Sequence, residues 1–438
     1  MNILIKNGLV LTREIDEDNQ TRNYELKEMD VYIAAGKIVS LDEAPAHFEP
    51  EKVINAMDKL VMPGLINMHT HQYMSLFRNI ANDADFQSWL YDNMVKLEDQ
   101  LTPEDMYWGT MLSIMESVKS GTTCFNDMFI LDDATIKAAS DSGIRASLGR
   151  GLSDSAGPEA GAGKLRIMLD AIKKWNSNPL LSFTIDPHAP YSCSEEYISQ
   201  CVEWAKKTGS RIHTHLSESD WEIEEIKKQK GLSPIEYMDK IGVFEVPTIA
   251  AHCVKTSEKD WKIMKEKGVS VVTNPASNMK LGNGFAPVEK MIDAGVNVTL
   301  GTDGPASNNT VNMFREMSIE ALISRGIKGD SKALSTTQIL DMSIANGAKA
   351  LGLEDKIGDI SVGKDADIII LNLKTPQFMP KNDIISSLVF SSYGAEVETT
   401  IVAGNILLDE GHFTQVDEDM IYSEVSWRIE RLRTDAGI

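Results

Sequence analysis

Pro63-Gly64-Leu65-Ile66-Asn67-Met68-His69-Thr70-His71 is a short apolar run of strand character that ends in two histidines one residue apart. Side chains at i and i+2 of a strand share a face, so His69 and His71 can present their imidazoles to one point, the geometry of a two-point metal clamp. An isolated His-x-His is equally the mark of two surface histidines at a strand end. The rest of the chain decides between the two.

Outward from this run, apolar β-branched segments alternate with longer segments of helical period. The former are Thr122 to Asn126, Arg145 to Leu148, Leu181 to Asp186, Arg211 to Leu216, Thr248 to His252, Val269 to Thr273 and Val296 to Gly301. Between them lie Asp105 to Ser120, Glu195 to Lys207, Trp221 to Lys230, Lys259 to Lys267 and Val288 to Ala294. With the His69 strand they make eight β-then-α units, the pattern of a (β/α)8 TIM-type barrel, expected over residues 59–354. The flanks read differently. Asn2 to Leu11 alternates and is expected to turn at Asn7-Gly8, Asp30 to Val39 repeats strand, glycine turn and strand, and Ile368 to Leu371, Val397 to Val402 and Ile406 to Leu408 share that texture. Residues 1–58 and 355–415 are therefore expected to form one small β-sandwich domain. Residues 416–438 read as a helical tail, docked, with its charges on a solvated face.

Composition narrows the function. The 438-residue chain is 42% hydrophobic and 25% charged, ordinary for a globular enzyme. A net charge of −22 would repel a phosphate backbone or an anionic membrane, so no nucleic acid and no membrane partner is expected. Cys124, Cys193, Cys201 and Cys253 form no Cys-x-x-Cys pair, and the chain opens without a signal-peptide pattern; the expectation is a reduced, cytoplasmic protein with buried thiols.

Polar groups gather at the C-terminal ends of the expected barrel strands, where barrel enzymes keep their active sites. His69 and His71 end the first, Arg150 follows the third, His188 the fourth, His213 and His215 end the fifth, His252 the sixth and Asp303 the eighth. Six of the eight histidines lie there; His47 and His412 do not. Individually, Asp303 reads as a turn residue, His252 as a core histidine, Arg150 as an ion-pairing group and Glu218 as a first-turn helix acid. Jointly these bland readings are weak, because all must hold at equivalent strand ends. His69, His71, one of His213 or His215, and Asp303 would supply the three or four N/O ligands of a catalytic metal site. Spacing alone does not choose between His213 and His215. An ion there would lower the pKa of bound water towards ~7, and Glu218 could move protons nearby.

Five motifs together resemble the amidohydrolase superfamily: residues 63–71, His213-Thr214-His215-Leu216-Ser217-Glu218, residues 274–281, Gly301-Thr302-Asp303-Gly304 and Gly363-Lys364-Asp365-Ala366-Asp367. Within it the chain is most similar to the 5'-methylthioadenosine/S-adenosylhomocysteine deaminases, with chlorohydrolases and guanine deaminases as neighbours. The resemblance implies His69, His71, His215 and Asp303 as metal ligands. It also implies one divalent ion per subunit, zinc or else iron, because the fourth strand ends without the lysine of carbamate-bridged relatives. It further implies water attack at C6 of an adenine ring, Glu218 protonating N1, Asp303 shuttling a proton to departing ammonia, and His252 polarising the attacking water. Glu98, Arg150 and His188 match the positions that hold the ribose hydroxyls and other polar groups, and Trp89 the aromatic cover. The partner is then a purine nucleoside of open 5' substituent, handled by a homo-oligomer, dimer or tetramer. Other outcomes are another aminated or halogenated heterocycle, or an inactive binding protein of the same fold, which the complete ligand set disfavours.

Overall fold

The computed structural model describes residues 1–15, 22–84, 88–130 and 133–438. Eight parallel strands follow one another in chain order: Leu65–Thr70, Thr122–Phe129, Arg145–Leu152, Leu181–Pro187, Arg211–Leu216, Thr248–His252, Ser270–Thr273 and Asn297–Leu300. Helices such as Pro103–Lys119, Glu195–Thr208 and Glu258–Lys267 intervene. They start where expected on physical grounds, Thr102, Ser194 and Ser257 occupying their N-cap positions ahead of acidic first turns.

The ring is nearly closed, and side chains join its last and first strands. Asn67 Nδ2 donates to Thr302 Oγ1 at 2.7 Å and Asn67 Oδ1 accepts from Thr302 N–H at 3.0 Å. Asp303 N–H donates to the carbonyl of His69 at 2.9 Å. Gly301 permits this approach: a Cβ there would lie 2.6 Å from Asn274 Oδ1 and 2.8 Å from the backbone nitrogen of His69.

The terminal segments build a nine-stranded mixed sheet beside the barrel. Eight of its strands follow one hydrogen-bonded path, and the ninth, Lys52–Asn55, pairs off that path with Ile3–Ile15. Its middle strands are buried on both faces, with Leu60, Met62, Ile369 and Leu371 in the core shared with the barrel and Val61, Ile368 and Ile370 in the sheet's own core. This explains why they read as unbroken apolar runs.

Two local expectations are corrected. Lys59–Pro63, read as the entry to the barrel, pairs with Ile3–Ile15 and Ile368–Asn372 and belongs to the accessory sheet; only after Gly64 does the chain enter the barrel. Asn7-Gly8 is no hairpin turn but a bulge inside the single strand Ile3–Ile15, where the register with Arg22–Ala34 shifts and Asn7 takes φ 59°.

The motif at residues 363–367 fastens sheet to barrel. Arg145, at the start of the third barrel strand, donates through Nε and Nη2 to Asp367 at 2.8 and 3.0 Å and through Nη2 to Asp365 at 3.0 Å. The tail is the helix Glu418–Ala436, and its charges are not all solvated. Arg428 is buried and donates to the fully buried Asp105 at 3.0 Å, with Arg431 on the other oxygen. All four cysteines are buried and unpaired. Among the described residues no helix is long and apolar enough to cross a membrane.

Candidate metal centre and pocket

At the C-terminal mouth of the barrel the Nε2 atoms of His69 and His71 lie 3.5 and 3.4 Å from Asp303 Oδ1, and His215 Nε2 lies 3.3 Å from His71 Nε2. His69, His71 and Asp303 bring ligand atoms within 4.8 Å of one another, as do His69, His215 and His252. Four distant segments thus converge on one point. Several of their backbones are held in the left-handed region: Ser217 at φ 53°, His252 at 73° and Asp303 at 62°. For non-glycine residues this costs on the order of 1–3 kcal/mol each, and such strain concentrates at functional sites.

The outer ring nitrogens show which lone pairs are free. His71 Nδ1 donates to the Met128 carbonyl at 2.7 Å and His215 Nδ1 to the His188 carbonyl at 2.9 Å, so each Nε2 faces the common point unprotonated. Burial holds His69 and His215 well below the usual imidazole range, which keeps them neutral at pH 7. His69 Nε2 is buried without a hydrogen-bond partner. An orphaned, lone-pair-bearing nitrogen among imidazoles and a carboxylate is what a divalent cation satisfies. Asp303 accepts from the hydroxyls of Ser277 and Ser307, 2.6 and 3.0 Å from Oδ2, and from the Gly304 N–H, 2.7 Å from Oδ1.

His213, the alternative to His215, is not in this cluster. It lies one strand repeat deeper, and its Nε2 meets the far nitrogen of His69, Nδ1, at 2.9 Å.

A cavity of about 440 Å³ opens over the centre, bordered by Trp89, Glu98, His188, Glu218, His252 and Asp303. Glu218 Oε2 lies 3.9 Å from His252 Nε2, and its Oε1 accepts from Asn283 Nδ2 at 2.8 Å. Burial pushes the Glu218 carboxyl up, against the pull of His252. Burial lowers His252, but the charges of Glu218 and Asp303 outweigh it and the ring is raised. Its Nδ1 is oriented by Asn278 Oδ1 at 2.9 Å. Glu98 accepts from the Tyr73 hydroxyl at 2.6 Å, and His188 is driven down to about 4 by burial.

Arg150 is brought near but not to the cavity. Strand alternation places it on the face of Ala146, Leu148 and Leu152, all core residues, and it is buried without bordering the cavity. Among the described residues the cation at the wall is Lys164, which donates to Ser153 Oγ at 3.0 Å. Burial lowers Lys164, and the charge of Arg150 adds to it. No local pattern marked Lys164, since it lies on a helix and reaches the mouth from outside the ring.

Glu222 was also unread, although Ser219-x-x-Glu222 is a capping-box spacing that could have flagged it. Its two oxygens accept from the Ser217 and Glu218 N–H groups, both at 2.8 Å, fixing the turn that carries Glu218.

Residues 60–407 match the sequence model of the amidohydrolase family. The chain belongs to that family. A 5-methylthioadenosine/S-adenosylhomocysteine deaminase of Caldanaerobacter subterraneus subsp. tengcongensis is 41% identical over 434 residues, covering 99% of both chains. A 5'-deoxyadenosine deaminase of Methanosarcina acetivorans is 40% identical over 433 residues, covering 98% of both. The crystal structure of an adenosine deaminase from Xanthomonas campestris with bound zinc superposes with a TM-score of 0.91 at 30% identity, over 99% of this chain and 98% of that one. This amidohydrolase is a hydrolase acting on C–N bonds, and its ligand cluster fits a single divalent ion.

Proposed function

We propose that the enzyme hydrolytically deaminates adenosine-type nucleosides, S-adenosylhomocysteine, 5'-methylthioadenosine and adenosine among them, to the inosine analogue and ammonia. The observation that supports it most is the raised Glu218 carboxyl standing beside His252, over the ligand cluster and within one cavity. His69, His71, His215 and Asp303 would hold the ion. Their nitrogen-rich set favours zinc, with iron as the alternative. When bound, the ion supplies Lewis-acid activation of water.

The chain's own residues do the rest. Glu218, its carboxyl raised by burial, donates a proton to ring N1 as the C6–N1 bond loses double-bond character. His252 donates a hydrogen bond to the incoming water oxygen and stabilises the oxygen of the tetrahedral centre. Asp303 takes one proton from the water and returns it to the amino group, so that ammonia leaves; the remaining hydroxyl proton passes back to Glu218, and a C6 carbonyl remains. Glu98 accepts from the ribose hydroxyls through the oxygen that Tyr73 leaves free, His188 bonds the nucleoside, and Trp89 covers it. Arg150, whose charge acts on Lys164 at the cavity wall, bears on the choice among 5' substituents. A homo-oligomeric, cytoplasmic enzyme completes the proposal.

Zinc-loaded protein should release ammonia from at least one of the three nucleosides, with the absorbance change of an adenine becoming a hypoxanthine. Ammonia from guanine, or chloride from a chlorinated triazine, with none from the nucleosides would replace this reading.

A further inference from the structure

We infer that His213 and Asp186 form a hydrogen-bonded relay that holds His69 in the tautomer able to bind the ion. The inference rests on the metal-dependent reading above and gives positioning roles to two buried residues outside the ligand set. His213 Nε2 lies 2.9 Å from His69 Nδ1, and His213 Nδ1 lies 3.3 Å from Asp186 Oδ2. All three side chains are fully buried, so water does not compete for either bond.

A neutral imidazole carries one ring proton and one lone pair, so each ring in the row must donate on one side and accept on the other. With both bonds made, only two arrangements exist. When Asp186 Oδ2 accepts, His213 donates from Nδ1 and accepts at Nε2 from the Nδ1–H of His69, whose Nε2 keeps its lone pair towards the ligand cluster. When Asp186 donates instead, every proton in the row reverses, and a hydrogen on His69 Nε2 blocks ligation. The rings of His71 and His215 need no such device, since the carbonyls of Met128 and His188 can only accept. His69 is the one ligand whose outer nitrogen faces a group able to do either, so the choice passes through His213 to Asp186. The third strand makes room for that carboxyl: a Cβ on Gly149 would lie 2.1 Å from Asp186 Oδ2.

The test is zinc affinity, measured on the full chain by competition with a chromophoric chelator, beside kcat at saturating zinc. His213→Leu, which removes the acceptor, should weaken zinc binding about 10–100-fold, the usual effect of losing such an outer partner. His213→Gln, whose amide oxygen can take the place of Nε2 as acceptor, should stay within about threefold of the wild type. Both should alter kcat far less than affinity once zinc is saturating. Wild-type affinity in a folded His213→Leu protein, or equal losses in the Leu and Gln variants, overturns the relay. If His213→Leu does not fold, Asp186→Ala, which leaves His213 Nδ1 without its acceptor, decides in its place: weakened zinc binding supports the relay, and unchanged affinity overturns it. Nucleoside turnover by the wild type tests the deaminase reading separately, because these affinity ratios need no substrate.

Discussion

Under the proposed function, single residues at the barrel mouth divide into those that hold the ion, those that move protons and those that aim the others. Glu218→Gln separates the first two classes. The variant keeps every ligand and should bind zinc stoichiometrically while kcat falls at least about 100-fold, since it cannot deliver a proton to N1. Zinc content by elemental analysis and steady-state kinetics check both halves, and wild-type kcat would move the acid role to another group. Glu222 belongs to the third class. Its carboxyl, pushed up to about 7 by burial, grips the backbone beneath Glu218. Glu222→Ala should therefore lower kcat with zinc content unchanged, because the two amides lose their acceptor and the turn is no longer held. The six strand-end histidines were legible because their positions recur at equivalent ends. The depths of His213 and Arg150 were not, because strand alternation says which residues share a face and not how deep each sits or what stands in front of it.

Among the elements, the terminal helix Glu418–Ala436 shows how a charged segment can be structural. Burial alone would raise the Asp105 carboxyl, but bonds from the Thr102 hydroxyl and amide, then from Arg431 and Arg428, outweigh it and hold the group below its ordinary value. A carboxyl with a lower pKa folded than unfolded contributes stability above its unfolded value, roughly 4, and loses that contribution as pH falls through the folded value. Asp105→Asn should thus lower Tm at pH 7, and the gap to the wild type should close as the pH drops below about 4. A gap independent of pH would mean that the helix is held by Ile421 and Leu432 rather than by charge. The sequence pattern found this helix but read its arginines as solvated, since nothing local to the tail announces an acid some 320 residues away.

At the scale of the whole molecule, barrel and accessory sheet share a core and the buried Arg145–Asp367 pair. Arg145→Met leaves Asp367 as a buried charge with its main partner gone, and should cost about 3–5 kcal/mol, read as a lower denaturant midpoint. The ion acts on the whole fold as well. Chelation should lower Tm reversibly, since an ion present at about 1,000 times its Kd contributes about 4 kcal/mol to the state that binds it. Unchanged Tm on removal would show that the four ligands converge without help from a cation.

Most of the barrel and the gathering of histidines and acids at its mouth could be read in the chain alone, because period-2 alternation, helical period and strand-end position are local properties repeated eight times. What only the tertiary structure decided were matters of depth and partnership: His213 seated behind His69, Lys164 at the cavity wall, Lys59–Pro63 in the sheet and a bulge in place of a turn at Asn7-Gly8. Each depends on which distant strand or helix arrives alongside, and a one-dimensional pattern carries no term for that encounter.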